Sequence, residues 1–279
     1  MAFRPPNRLE DTFRRSIQRV LLQYLKLPAN ATVEQILDKI DTLSRNEPLL
    51  ARIGKVLAGQ MVSQVNRSNM QGWREAAMES SRGRQIYEAL RQEILYTPIG
   101  EQVRELVAQN AELISSIPSK VRESVNLEIA GLQREGLRPE AIARFLMQRV
   151  PQLTRSRAAL IARTETGKAA EALTRARSEE LGIPGYLWQT AEDQRVRRSH
   201  RIMDDVIVFW NDPPAPERLV GLESEGNYHA GGIYNCRCTA IPILRPEALK
   251  WPHRCYANGR IRSITLKQYR EIAGMRVAA

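Results

Sequence analysis

Apolar residues recur at helical spacing through the first two thirds of the chain. In the opening segment, Phe13, Ile17, Val20, Leu21 and Tyr24 lie one to four positions apart on one predicted helix face. The same period indicates further helices up to the Gly-Ile-Pro segment that begins at residue 182. These are predicted near residues 33–43, 47–66, 70–95, 98–117, 121–135, 139–150 and 153–181.

The pattern changes after Pro184. Short β-branched or aromatic runs, separated by turn residues, predict strands at 186–189, 206–210 and 238–244. Because Pro242 has no N–H to donate, the last strand belongs at a sheet edge. Residues 211–228 contain three prolines and little periodicity, which favours a surface loop. The predicted fold class is α+β: a mostly α-helical N-terminal region followed by a small mixed α/β module with short strands.

The composition is that of a folded protein. With 279 residues, 43% of them hydrophobic and 26% charged, the chain can form about two domains. No apolar run reaches the roughly 18 residues that a membrane span needs. The basic start leads into an amphipathic segment, not an apolar signal core, which predicts a protein made and kept in a cytoplasm. Three cysteines, two of them in Cys-x-Cys, argue against a disulfide framework.

The net charge of +11 predicts an anionic partner. From Arg245 to the end, eight lysines and arginines face two glutamates, a net charge of +6. Such a segment fits a partly extended basic extension over 246–279 that binds double-stranded DNA without sequence preference. Its candidate DNA-binding residues are Arg254, Arg260, Arg262, Lys267 and Arg270. The alternative is that its apolar residues pack against the module; these are Trp251, Tyr256, Ile261, Ile264 and Leu266.

Two short blocks, 188–200 and 228–238, hold two of the three histidines and two of the three cysteines. In an extended strand Cys236 and Cys238 would share a face, and the glycines after His229 would let it fold back over them. With His200 they form a candidate Cys2His2 set suited to structural zinc. The competing interpretation is metal-free, with buried cysteines and histidines bonded to backbone groups.

Asp193, Arg195 and Arg198 lie in the first block and predict a polar network that orients His200. The same residues leave a catalytic interpretation open. Asp193 and His200 would then exchange protons, and a cysteine would act as nucleophile.

A family resemblance rests on the ordered blocks of the second half. These are residues 161–165, 182–190, 193–200 and 235–238, with a helical lead-in at 112–118. Together they resemble the phage Mu protein F-like family of minor head proteins of tailed bacteriophages. The resemblance covers about residues 95–245, and one departure is Ala230, where the family often has proline. The chain is accordingly divided into a helical docking region (1–95), a Mu F-like module (96–245) and the basic extension (246–279).

The resemblance implies a minor structural protein of a phage head, involved in head morphogenesis or DNA delivery, and not an enzyme. Its partners would be the portal or other capsid proteins, with the apolar helix face of residues 9–95 as the docking region. It would be assembled in the host cytoplasm and lie in the capsid interior of the virion. An enzyme acting on nucleic acid or nucleotides through a metal or the Cys/His cluster is the alternative. A free DNA-binding protein is a third class, but we find no helix-turn-helix pattern, and aromatics make up only 6%.

Overall fold

A computed structural model describes residues 3–78, 83–92 and 98–274 of the chain. The chain divides into two compact units. The helical unit comprises Asn7–Val62 and Glu105–Arg163, and the sheet unit comprises Met1–Pro6, Ser63–Arg104 and Thr164–Ala279. The predicted boundaries at residues 95 and 245 do not separate these units, because helices distant in sequence associate within each of them.

The helices have these bounds: α1 Asn7–Tyr24, α2 Val33–Arg45, α3 Glu47–Met78, α4 Gly83–Gln92, α5 Pro98–Ser115, α6 Ile117–Arg134, α7 Pro139–Glu180, α8 Arg198–Arg201 and α9 Leu266–Ile272. Thus α3 runs through the gap predicted at 67–69, and α7 runs through Pro151, where two helices had been predicted. Part of the helix predicted over 70–95 falls on residues 79–82 and 93–95, which lie outside the described residues. Within the described residues no helix combines the length and the apolar character needed to cross a membrane.

The apolar face of α1 is not available as the predicted docking surface. Phe13, Ile17 and Leu21 are buried, Val20 is half-buried, and only Tyr24 of this set is exposed. Ion pairs within the helical unit include Arg122 with Asp41 at 2.8 Å. Residues 9–62 therefore contribute to a folded core. Docking of a partner on residues 1–95 would have to use a different surface from the apolar face of α1.

The sheet unit contains a five-stranded sheet within the described residues, ordered β3-β1-β2-β4-β5. Its strands are β1 Gly185–Gln189, β2 Val206–Phe209, β3 Thr239–Pro242, β4 His253–Ala257 and β5 Arg260–Ile264. Strand β1 pairs antiparallel with β2 and β3, and β4 pairs antiparallel with β5, whereas β2 and β4 run parallel. Pro242 lies on the edge strand β3, as predicted.

Alternating side chains give the sheet two apolar faces. One face carries Tyr186, Trp188 and Val208 and packs against the loop that contains the cysteines. The opposite face carries Ile207 and Phe209, which pack with Tyr269 of α9. The predicted α+β class is confirmed.

The predicted basic extension is wrong as an extended arm. Its residues form β4, β5 and α9, and Cys255, Ile264 and Tyr269 are buried. The alternative packing interpretation holds because the apolar residues of this segment contribute to the core on both faces of the sheet. Ile264, Trp251 and Leu266 pack on one face, and Tyr256 and Ile261 pack on the other. The predicted surface loop at 211–228 also contributes buried residues, from Pro214 to Glu217.

Candidate metal centre

Three buried side chains converge beside the first face of the sheet. His200 lies on α8, in the connection between β1 and β2, and Cys236 and Cys238 precede β3. Nδ1 of His200 is 3.6 Å from Sγ of Cys236 and 3.4 Å from Sγ of Cys238. The candidate ligand atoms of the three residues all lie within 4.8 Å of one another.

The loop before the cysteines depends on residues with left-handed backbone. Gly231 has a φ of +95°, and a Cβ there would lie 3.3 Å from the carbonyl oxygens of Gly167 and Cys238. Asn235 has a φ of 54°, and its N–H donates to Oγ1 of Thr164 at 3.1 Å. These contacts hold the loop against α7 and fix the position of Cys236.

The other nitrogen of His200 belongs to a buried hydrogen-bond chain. Nε2 of His200 is 3.0 Å from the hydroxyl of Tyr228, which donates to Oε1 of Glu217 at 2.6 Å. Ser199 donates to the same carboxylate oxygen at 3.0 Å. Both Tyr228 and Glu217 are buried, so the ring of His200 is held in one orientation.

The two thiols differ in acidity. A hydrogen bond from Cys238 holds the pKa of the Cys236 thiol well below its usual range. The same bond to Cys236, together with burial, raises the pKa of Cys238. The cluster therefore presents two sulfurs and an imidazole nitrogen, a set that suits either a soft metal ion or a nucleophile.

His229 does not join this cluster. It lies outside the group of close ligand atoms, and its Nδ1 is 3.2 Å from the hydroxyl of Tyr186. Burial lowers the pKa of His229 to about 4. The neighbouring N–H of Ala230 donates to the same hydroxyl at 3.2 Å.

The predicted polar network exists in part. Asp193 pairs in bidentate fashion with Arg237, and this hydrogen bonding is the main reason that the pKa of Asp193 is lowered. The backbone N–H of Arg195 donates to Oδ1 of Asp193 at 3.0 Å, and its guanidinium lies 3.6 Å from Oδ2 of the same carboxylate. Arg198 is exposed and does not pair with Asp193 in the described part of the chain.

A pocket of about 250 Å³ opens onto the cluster. Its lining includes His200 and both cysteines together with three arginines at positions 195, 197 and 237. Arg197 is held over the ring of Tyr234 at 4.4 Å and donates to its carbonyl oxygen. The site is thus open on a side where guanidinium groups favour an anion.

The candidate DNA-binding residues have different surroundings. Arg254 donates to the carbonyl oxygens of Ile202 and Asp204, and Arg270 pairs with Glu247 at 2.6 Å. Arg260, Arg262 and Lys267 are exposed.

Sequence reasoning missed Tyr228, Glu217 and Arg237 as members of the site. Glu217 falls in the segment 211–228, for which the sequence predicts a surface loop. No local pattern marks Glu217 or Tyr228 as a partner of His200, since the contacts join segments 11 to 28 residues apart.

Comparison with known proteins locates this site in a family region. Residues 123–241 match the model of the family described as phage Mu protein F like protein. A relative from Haemophilus influenzae (strain ATCC 51907 / DSM 11121 / KW20 / Rd), described as an uncharacterized protein, is 37% identical over 147 residues. The alignment covers 52% of this chain and 30% of the relative, so the chain spans less than a third of that protein. No solved structure matches the chain significantly. All three residues of the cluster, with Tyr228, Glu217 and Arg237, lie inside the matched segment, and over residues 123–241 this chain is similar to the phage Mu protein F-like family.

Proposed function

We propose that the chain is a minor head protein of a tailed phage, built into the capsid in few copies near the portal. The observation that carries this proposal is the family match over residues 123–241, which indicates a phage head-morphogenesis protein. That family is generally structural. The capsid interior and a role in DNA delivery are parts of the proposal.

The geometry supports a structural role for the family region. Within it, His200, Tyr228 and Glu217 are buried and joined by hydrogen bonds, an arrangement that fixes one conformation. Exposed cations such as Arg260 and Lys267 are compatible with packaged DNA as a neighbour.

The decisive experiment examines heads assembled with and without the chain. Purified heads are analysed by quantitative mass spectrometry against the major capsid and portal proteins, and the gene is deleted and then restored in trans. We expect a few copies per head, chemical cross-links to the portal, and a loss of infectious heads that restoration corrects. Absence of the chain from purified heads would refute the proposal, and cross-links only to the capsid shell would refute the portal location.

A second candidate function is an enzyme acting on nucleic acid or nucleotides. The observation that favours it is the sulfur of Cys236, which lies 3.6 Å from Nδ1 of His200 and borders a pocket with three arginines. Hydrolysis of single- and double-stranded DNA and of nucleoside triphosphates is measured for the full chain and for Cys236→Ser. Turnover that Cys236→Ser abolishes and Cys255→Ser retains would support the enzyme, whereas no turnover would leave the structural role.

A further inference from the structure

We propose that His200, Cys236 and Cys238 bind one zinc ion, whose fourth coordination position faces the arginine-lined pocket and takes water or an oxyanion. This goes beyond the proposed head function and does not depend on it. The set differs from the four ligands expected from sequence, because His229 is committed to Tyr186 elsewhere.

The distances from Nδ1 of His200 to the two sulfurs match a tetrahedral zinc site. Zinc lies about 2.3 Å from sulfur and about 2.0–2.1 Å from nitrogen, so the edge between a sulfur and a nitrogen is about 3.6 Å. The two observed separations are 3.6 Å to Cys236 and 3.4 Å to Cys238. Small side-chain movements would therefore suffice for all three atoms to reach one ion.

The tautomer of His200 supplies the nitrogen lone pair. The hydroxyl of Tyr228 donates its hydrogen bond to Glu217 at 2.6 Å. Its oxygen therefore accepts a hydrogen bond from Nε2–H of His200. In a neutral ring Nδ1 then carries a lone pair, and this lone pair faces both sulfurs. The lone pair of Nδ1 can accept a hydrogen bond from only one thiol. A metal ion, in contrast, can be coordinated by Nδ1 and by both sulfurs at once.

The surroundings of His200 are those of a metal-ligating histidine. Such histidines commonly donate their second ring N–H to a carboxylate, a backbone carbonyl or a water molecule, and this hydrogen bond fixes the orientation of the ring. Here the chain runs from Nε2 through Tyr228 to the buried carboxylate of Glu217. Ser199, the neighbour of His200 on α8, braces the same carboxylate at 3.0 Å.

The fourth position distinguishes this site from a closed structural one. Three protein ligands leave one tetrahedral position for a ligand from solvent. The pocket of about 250 Å³ borders all three ligand residues, and its guanidinium groups belong to Arg195, Arg197 and Arg237. Asp193 pairs with two of these arginines, yet the pocket keeps an excess of positive charge that favours an oxyanion.

Metal content of the full chain tests the ligand set. We expect about one equivalent of zinc in the wild type and in Cys255→Ser, and a loss of most of it in Cys236→Ser and His200→Gln. Cys255 is the matched control, since it is also buried but lies on the opposite face of the sheet. Circular dichroism of each variant shows whether the fold persists. Zinc that is absent from the wild type, and cannot be restored by titration, would overturn the proposal, as would equal loss in Cys255→Ser.

Cobalt substitution of the wild type tests the tetrahedral geometry and the open coordination position. We expect the intense visible bands of tetrahedral Co²⁺ and the thiolate-to-metal charge transfer of two sulfurs. Inorganic phosphate should shift the visible bands, and Arg197→Gln should raise the phosphate concentration needed several-fold. Octahedral cobalt spectra would overturn the site, and bands insensitive to phosphate would overturn the open position.

Discussion

Glu171 of α7 carries a buried carboxyl group whose pKa is raised. Burial raises its pKa to about 7 from 4.5, against a smaller opposing effect of Arg175. Its Oε1 is buried and has no hydrogen-bond partner among the described residues. The folded protein therefore holds a proton that the unfolded chain releases between about pH 4.5 and 7. This contribution to stability is fully present below pH 4.5 and is lost as the pH rises through 7.

We expect Glu171→Gln to remove that pH dependence. The free energy of unfolding of the variant, relative to wild type, should rise by roughly 1–3 kcal/mol between pH 5 and pH 8. Urea denaturation at both pH values measures it. Because both proteins contain His229, whose lowered pKa gives the opposite slope below about pH 6.5, the difference isolates Glu171. The exposed Glu112→Gln is the control, and a difference that does not change with pH would contradict the assignment.

Tyr228 links the imidazole of His200 to the carboxylate of Glu217, so Tyr228→Phe breaks two buried hydrogen bonds at once. We expect a loss of about 1–3 kcal/mol in the free energy of unfolding, because buried polar groups lose their partner. The matched control is Tyr234→Phe, whose hydroxyl bonds to Glu225 at the surface and should cost less than about 0.5 kcal/mol. Equal losses in denaturant melts of the two variants would show that burial of the bonds is unimportant.

At this scale the sequence identified the cluster through scarce residue types. His200, Cys236 and Cys238 could be predicted because cysteine and histidine are rare here and concentrated in two blocks. His229 was predicted by the same logic and was not brought to them. Glu217 could not be predicted, since glutamate is common and its place depends on a loop that folds under the sheet.

At the scale of elements, Pro151 is the clearest test of how α7 is held. It lies inside the continuous helix Pro139–Glu180, where proline lacks the N–H that would bond one turn back. We expect Pro151→Ala to raise the free energy of unfolding by about 1–3 kcal/mol, since proline costs about 3 kcal/mol relative to alanine in a helix interior. Thermal and urea unfolding measure the change.

Pro139→Ala is the matched control for this prediction. Pro139 is the first residue of the same helix, where no N–H bond is lost, so its replacement should change stability by less than about 1 kcal/mol. A loss of stability in Pro151→Ala would show that contacts of the proline ring outweigh the missing hydrogen bond.

The strands show which local signals were decisive. Strands β1, β2 and β3 were predicted within a few residues because their β-branched and aromatic runs stand out. Strands β4 and β5 were missed, since their many arginines favoured a cationic arm. The signal was nevertheless present: Asn258 and Gly259, with φ values of 51° and 77°, form the two-residue turn typical of a hairpin. Thr265 and Gln268 similarly form a capping box that begins α9.

At the scale of the whole molecule, removing residues 246–279 would not isolate the role of their charge in DNA binding. The truncation would delete β4, β5 and α9 and would uncover Ile207 and Phe209. It should therefore unfold the sheet unit, whether or not the chain binds DNA. Substitutions at exposed cations separate the two effects.

The last prediction tests whether the C-terminal charges contact DNA. Arg260 and Arg262 are two positions apart on the edge strand β5, so their side chains project from the same face of the strand. Lys267 is exposed on α9. If each neutralises a phosphate, the triple change to glutamine should weaken DNA binding at low salt. It should also reduce the slope of log affinity against log salt by about 0.9 per lost contact. Fluorescence anisotropy with a double-stranded oligonucleotide across a salt series measures both quantities.

A second triple variant keeps the total charge equal while moving the site of the change. Arg52, Lys55 and Arg67 are exposed cations of α3, and their change to glutamine lowers the net charge by the same three units. If only the net charge of the protein mattered, DNA binding would be weakened equally in both triple variants, because both variants have the same net charge. Direct phosphate contacts predict a larger loss and a flatter salt slope only for the β5 and α9 triple. Equal behaviour of the two variants would leave the basic surface without a local role in DNA binding.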